Sequence, residues 1–148
     1  MEVKLKEPIT GELLHALHDA EIFSIDVDRL AGSLRIGFVQ TSGAKSWLEF
    51  LGVVSFRLSD FVVQNVVCRV RATPWHTFED GRLGELIVWS NSFSDATIRP
   101  SSESLERTLR AIKEGRLTVA VIEPSRGAEA VVVAEGVFLE SAKQLPVM

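Results

Sequence analysis

The residues able to do chemistry fall into small groups, and His15-Ala-Leu-His18-Asp19 is the densest of them. Two histidines three positions apart share one side of a helical turn, and the adjoining carboxylate adds a further potential ligand. There is no HExxH, and a third ligand would have to come from far along the chain, so metal binding is not favoured. The alternative this group defines is a small metal-dependent enzyme using His15, His18 and Asp19. The structural reading has His18-Asp19 ending a short helix, with the imidazoles on backbone groups or near the helix's negative end.

Arg69 and Arg71 alternate along one strand, and Pro74-Trp75-His76 follows directly. Arginine and tryptophan are the side chains that most often anchor protein interfaces, so Arg69, Arg71, Trp75 and His76 form the candidate partner-binding patch. Its bland counterpart is a cross-strand row of salt bridges with Trp75 covering the end of the core. Asp26 and Asp28 also share a strand face. Paired carboxylates can divide acid and base roles, but a solvated row is the simpler expectation. Cys68, the only cysteine, sits in Val66-Val67-Cys68 and reads as a small buried hydrophobe rather than a nucleophile. No GxGxxG, GxxxxGK[ST] or GxSxG is present, so no catalytic residue and no cofactor is nominated.

These groups must be positioned by strands. Residues 2–6 alternate charged and apolar side chains as an edge strand does. Thr10 caps a short helix carrying Leu13, Leu14 and Leu17. Phe23, Ile25 and Val27 then alternate with Ser24, Asp26 and Asp28, and Leu34, Ile36 and Phe38 answer them across Ala31-Gly32-Ser33. Trp47 to Leu58 makes a third strand, with Leu48, Phe50, Val54, Phe56 and Leu58 on one parity and Gly52 at a bend or bulge. A helical turn is expected around Phe61-Val62-Val63, then a strand from Asn65 to Thr73 ended by Pro74. Residues 75–84 read as a loop and 85–90 as a buried strand.

Residues 101–115 carry a serine cap, Leu105, Leu109 and Ile112 at helical spacing, and a terminal glycine. Residues 117–123 and 130–140, valine-rich and separated by Pro124-Ser-Arg-Gly127, form a hairpin. The tail 144–148 is expected to be loose.

The 148 residues, 46% hydrophobic and 24% charged, suit one cooperative domain spanning 1–148. A net charge of -4 disfavours nucleic acid, whose phosphates attract basic surfaces. No apolar run approaches membrane-spanning length, and a single cysteine fits a reducing, cytoplasmic setting. The fold expected is α+β: a mostly antiparallel, curved sheet of about seven or eight strands with one main helix (101–115) packed on it, whose closure into a barrel the pattern leaves open. A ligand cavity lined by Phe23, Phe38, Phe50 and Phe56 is a third functional option beside ordinary core. An exposed valine-rich C-terminal strand would invite a homodimer by edge pairing.

The stretch Leu17-His-Asp-Ala-Glu-Ile-Phe-Ser-Ile-Asp-Val-Asp28, with Leu34-Arg-Ile-Gly-Phe38, Leu48-Glu-Phe50 and Val53-Val-Ser-Phe-Arg57, resembles small bacterial domains grouped with polymorphic-toxin immunity proteins. The similarity covers roughly the first half of the chain. It implies a cytosolic, non-enzymatic protein that sequesters a toxin domain by occluding its active site. Together with the lack of a catalytic constellation, it makes the expected function a protein-binding module whose partner is another protein.

Overall fold

The computed structural model describes residues 2–144. Alternation dictates its centre. Leu34, Ile36 and Phe38 of β3 (Ser33–Val39) and Leu48 and Phe50 of β4 (Lys45–Ser59) all point inward and are at most 2% exposed. The same period runs through β6 (Thr118–Arg126) and β7 (Glu129–Gln144), but there both faces are apolar. Ala120, Ile122, Ala130, Val132 and Ala134 fill the interior, while Val119, Val121, Val131 and Val133 lie under a helical layer. A strand covered on both sides reads as a continuous apolar run, which is why this hairpin is so rich in valine.

The other strands are β1 (Glu2–Pro8), β2 (Glu21–Asp28) and β5 (Val66–Ala72). The order is β1-β7-β4-β3-β2-β5-β6, every pairing is antiparallel, and β6 returns to pair with β7. The sheet therefore closes: β2 to β7 form a ring filled by side chains, as small barrels require. Long β7 makes this work. One edge runs along β4, while its other edge takes β6 at Ala130–Ala134 and β1 at Phe138–Gln144. Both edges of β7 are thus occupied, so the edge-pairing argument for a homodimer does not hold.

Several local expectations change for identifiable reasons. A bulge between Ile22 and Ser24 turns Phe23 outward, 42% exposed, and puts Ile22 into the core instead. Phe38 and Phe50 are packed core and Phe23 is outside, so the four phenylalanines do not line a common cavity. Gly52 has a positive φ of 59° and a register shift follows at Val53/Ser55, so Val53 packs inward and Val54 is left 55% exposed. Residues 60–65 form an irregular loop rather than a helical turn, with Phe61, Val62 and Val63 exposed. In the tail, Gln144 ends β7, and 145–148 lie outside the described residues.

The largest correction is at 85–90, which is not a strand. It belongs to a helix, α2 (Asp80–Asn91), that buries Leu83, Leu86, Ile87 and Ser90 against β4 and β7. The helix expected at 101–115 is present as α3 (Ser102–Lys113). Ser101 Oγ accepts from Ser104 N, and Gly115 (φ 77°) ends it as Arg116 N bonds Ala111 O. The covering layer is therefore two helices, with α2 on the sheet and α3 packed beside it. Among the described residues no helix is long and apolar enough to cross a membrane.

Candidate functional site

The joint between β2 and β5 is short, and a groove lies beside it. β2 meets β5 only at Glu21 and Val66, with flanking bonds from Ile22 N to Asn65 O (2.9 Å) and from Val67 N to Ala20 O (2.8 Å). Beyond that point the edge of β5 turned away from β6 has no strand beside it, and the short helix α1 (Gly11–His15) takes the place. Thr10 caps α1 by accepting from Leu13 N, and Leu14 and Leu17 are buried in the barrel core. The opposite side of α1 faces β5 across a groove of about 420 Å³, whose lining includes His15, His18, Cys68, Arg69, Arg71, Trp75 and His76.

This groove joins two groups that the sequence presents more than 50 positions apart. His15 and His18 stack with ring centroids 6.5 Å apart and planes 12° off parallel. His18 Nδ1 contacts the carbonyl oxygen of Cys68. A carbonyl only accepts, so Nδ1 carries the proton, and Nε2 is left 3.5 Å from Asp19 Oδ2. His18 thus does for β5 what a neighbouring strand would have done, which is the backbone role open to it at the end of α1. Asp19 itself adopts a left-handed φ of 64° in the turn after α1, and its amide bonds Val67 O at 2.8 Å.

On the β5 side, inward Val67, Val70 and Ala72 leave Arg69 and Arg71 on the outer face. Register places Glu123 of β6 opposite Arg69. Its carboxylate takes Arg69 Nε on one oxygen and lies 3.7 Å from Arg71 Nε on the other. Arg71 Nη1 also reaches His76 Nε2 at 3.3 Å. Guanidinium only donates, so that imidazole nitrogen accepts, and the contact holds His76 in a tautomer with Nε2 unprotonated. The turn after β5 is closed by His76 N bonding Ala72 O (2.9 Å), and Phe78 meets the His76 ring edge-on at 4.5 Å. Trp75 rides on this turn with 54% of its surface exposed.

The cross-strand salt-bridge row is therefore real, but Trp75 does not cover the core. Cys68 is half-buried and lines the groove, because register shifts at Val66/Val67 and Val67/Arg69 break the parity that would have hidden it. The carboxylate that organises the patch, Glu123, escapes sequence reading, since only long-range strand register brings it to Arg69.

The metal alternative fares differently. Among the described residues no three His, Cys, Asp or Glu side chains converge to hold an ion, and His15, His18 and Asp19 do not form such a set. Asp26 and Asp28 lie on the barrel's outer face: Asp28 Oδ1 accepts from Ala31 N in the β2–β3 turn, and Asp26 stands opposite Arg35. Arg35 in turn bonds Glu140 at 2.8 Å and lies over the Trp47 ring, so the two aspartates belong to a charged outer row.

What fold and site define together is a small closed antiparallel barrel, flanked by a helix pair, with a cationic and aromatic groove at its joint. No protein-family model matches the chain, and no curated protein and no solved structure matches it.

Proposed function

We propose that the protein is a non-enzymatic binding module of the cytosol that uses the groove between α1 and β5 to hold an acidic segment of a partner protein. The single observation that carries this reading is that Arg69 and Arg71 share one carboxylate, Glu123, beside the exposed ring of Trp75. Two guanidiniums on one carboxylate leave a positive charge and several donors unspent, in a chain whose net charge is -4. A half-exposed tryptophan adds apolar area next to them, the composition of an interface anchor.

The immunity-type form of this reading, in which the partner is a toxin domain, rests on the resemblance over residues 17–57. The test is co-purification from the source cell's cytosol, comparing the native chain with Trp75→Ala and Arg71→Ala variants whose far-UV circular dichroism matches it. The native chain is expected to retain one protein stoichiometrically, and each variant to bind it at least about tenfold more weakly, as loss of an anchor side chain implies. Equal retention by both variants, or a transition metal at one per chain with no protein, would count against the reading.

A further inference from the structure

A second groove lies outside the barrel, between α2, α3 and the connecting residues 92–100. Its volume of about 620 Å³ falls in the range of about 300–1,000 Å³ usual for small-molecule sites. Val88 and Trp89 of α2 and Leu105 and Leu109 of α3 supply apolar lining. The connecting segment is held by bonds within the chain. Phe93 and Ala96 exchange backbone bonds of 3.1 and 2.8 Å, and Ser92 Oγ accepts from Ile98 N while donating to Val88 O. Arg57 Nη2 donates to Ser94 O at 3.2 Å. The groove is thus preformed.

Its charges are arranged unevenly. Of the acids that line it, Asp80 and Glu85 are engaged by Lys113 at 2.9 Å and Arg82 at 3.2 Å, and Asp95 lies exposed on the connecting segment. The two arginines lining it are not engaged in this way: among the described residues neither Arg57 nor Arg99 has a carboxylate within ion-pair distance. Arg57 lies 4.4 Å over the Trp89 ring, half-buried, with only backbone carbonyls as acceptors.

Two glycines of α2 add an independent observation. A glycine within a helix costs about 1 kcal/mol relative to alanine. Gly81 and Gly84 both line the groove, neither has a positive φ, and a Cβ at either would meet nothing within 4 Å. Neither packing nor backbone conformation calls for glycine here. What their missing side chains do is keep the groove open.

We propose that this groove binds a small amphipathic carboxylate, its apolar body on Val88, Trp89, Leu105 and Leu109 and its charge on Arg57 and Arg99. The site is separate from the protein-binding groove and does not depend on that reading. The experiment is calorimetric titration of the purified chain with decanoate and with decanol, which share a tail and differ in charge. Decanoate is expected to saturate one site per chain at least about tenfold more tightly than decanol, the order expected for a charge-assisted contact. Arg99→Gln, which breaks no hydrogen bond or ion pair among the described residues, is expected to weaken decanoate about tenfold. Gly84→Leu fills the groove from a helical position with open space around it, and should abolish binding while leaving the thermal midpoint equal or higher. Absence of saturable decanoate binding, equal affinity for decanol, or undiminished binding by folded Gly84→Leu would each overturn the proposal.

Discussion

Asn65, 2% exposed, shows how much one side chain can organise in this molecule. Its Oδ1 accepts from Val62 N and from Ala128 N, both at 3.0 Å, and its Nδ2 donates to Val62 O at 2.7 Å. The amide therefore fastens the 60–65 loop to the β6–β7 turn, where Gly127 (φ 84°) approaches so closely that a Cβ would stand 2.4 Å from Asn65 Oδ1. Removing the amide exposes the costs unequally. Val62 is exposed and its backbone groups can turn to water, but Ala128 is buried and its N–H would be left without an acceptor. We expect Asn65→Ala to lose about 2–4 kcal/mol in urea denaturation, the cost of several lost bonds and one stranded donor. A loss below about 1 kcal/mol would mean that water replaces the amide. No pattern in the sequence marks Asn65 out, because its partners are set by long-range register. Arg69, Arg71, Trp75 and His76 are grouped by the sequence for the opposite reason: alternation along β5 and adjacency in the turn that follows it suffice.

At the scale of elements, α2 is where sequence reading failed, and the failure has a physical source. Leu86-Ile87-Val88-Trp89 is a short apolar run, which periodicity alone cannot divide between a buried strand and a buried helix. Helical spacing was present in Leu83, Leu86, Ile87 and Ser90, all now buried. Gly81 and Gly84 obscured it, since glycine argues for a loop. Elements with plain caps were legible: Thr10 and Ser101 accept the bonds their types suggest. The glycines yield a direct test. With open space around its Cβ position and ordinary helical φ, Gly84→Ala is expected to stabilise the fold by about 0.5–1 kcal/mol, read from the shift in the denaturation midpoint. A destabilised variant would show that the helix needs glycine at 84 for a reason other than keeping the groove open.

For the whole molecule, the question the alternating pattern left open was closure, because pairing between β2 and β5 depends on a bulged, distant register. The ring closes, but unevenly. β4 and β7 pair from Ser46–Ser141 through to Ser59–Glu129, whereas β2 and β5 share one register pair. Local opening follows the supply of buried contacts and ladder bonds, so the seam should open before the rest. It is also where α1 leans on β5 and where His18 holds the carbonyl of Cys68, so the groove proposed to take a partner sits on the barrel joint with a single register pair. Native-state hydrogen exchange at rising denaturant should separate the two regions. Amides of Asp19, Ile22 and Val67 are expected to exchange through sub-global opening, while those along Phe56–Leu58 and Val131–Val133 wait for global unfolding. A partner seated on α1 and β5 should bridge the seam and slow its amides selectively, leaving β4 and β7 as they were. Seam amides already protected to the global limit in the free chain would instead mean that α1 completes the ring as firmly as a strand would, and that the groove is rigid before any partner arrives.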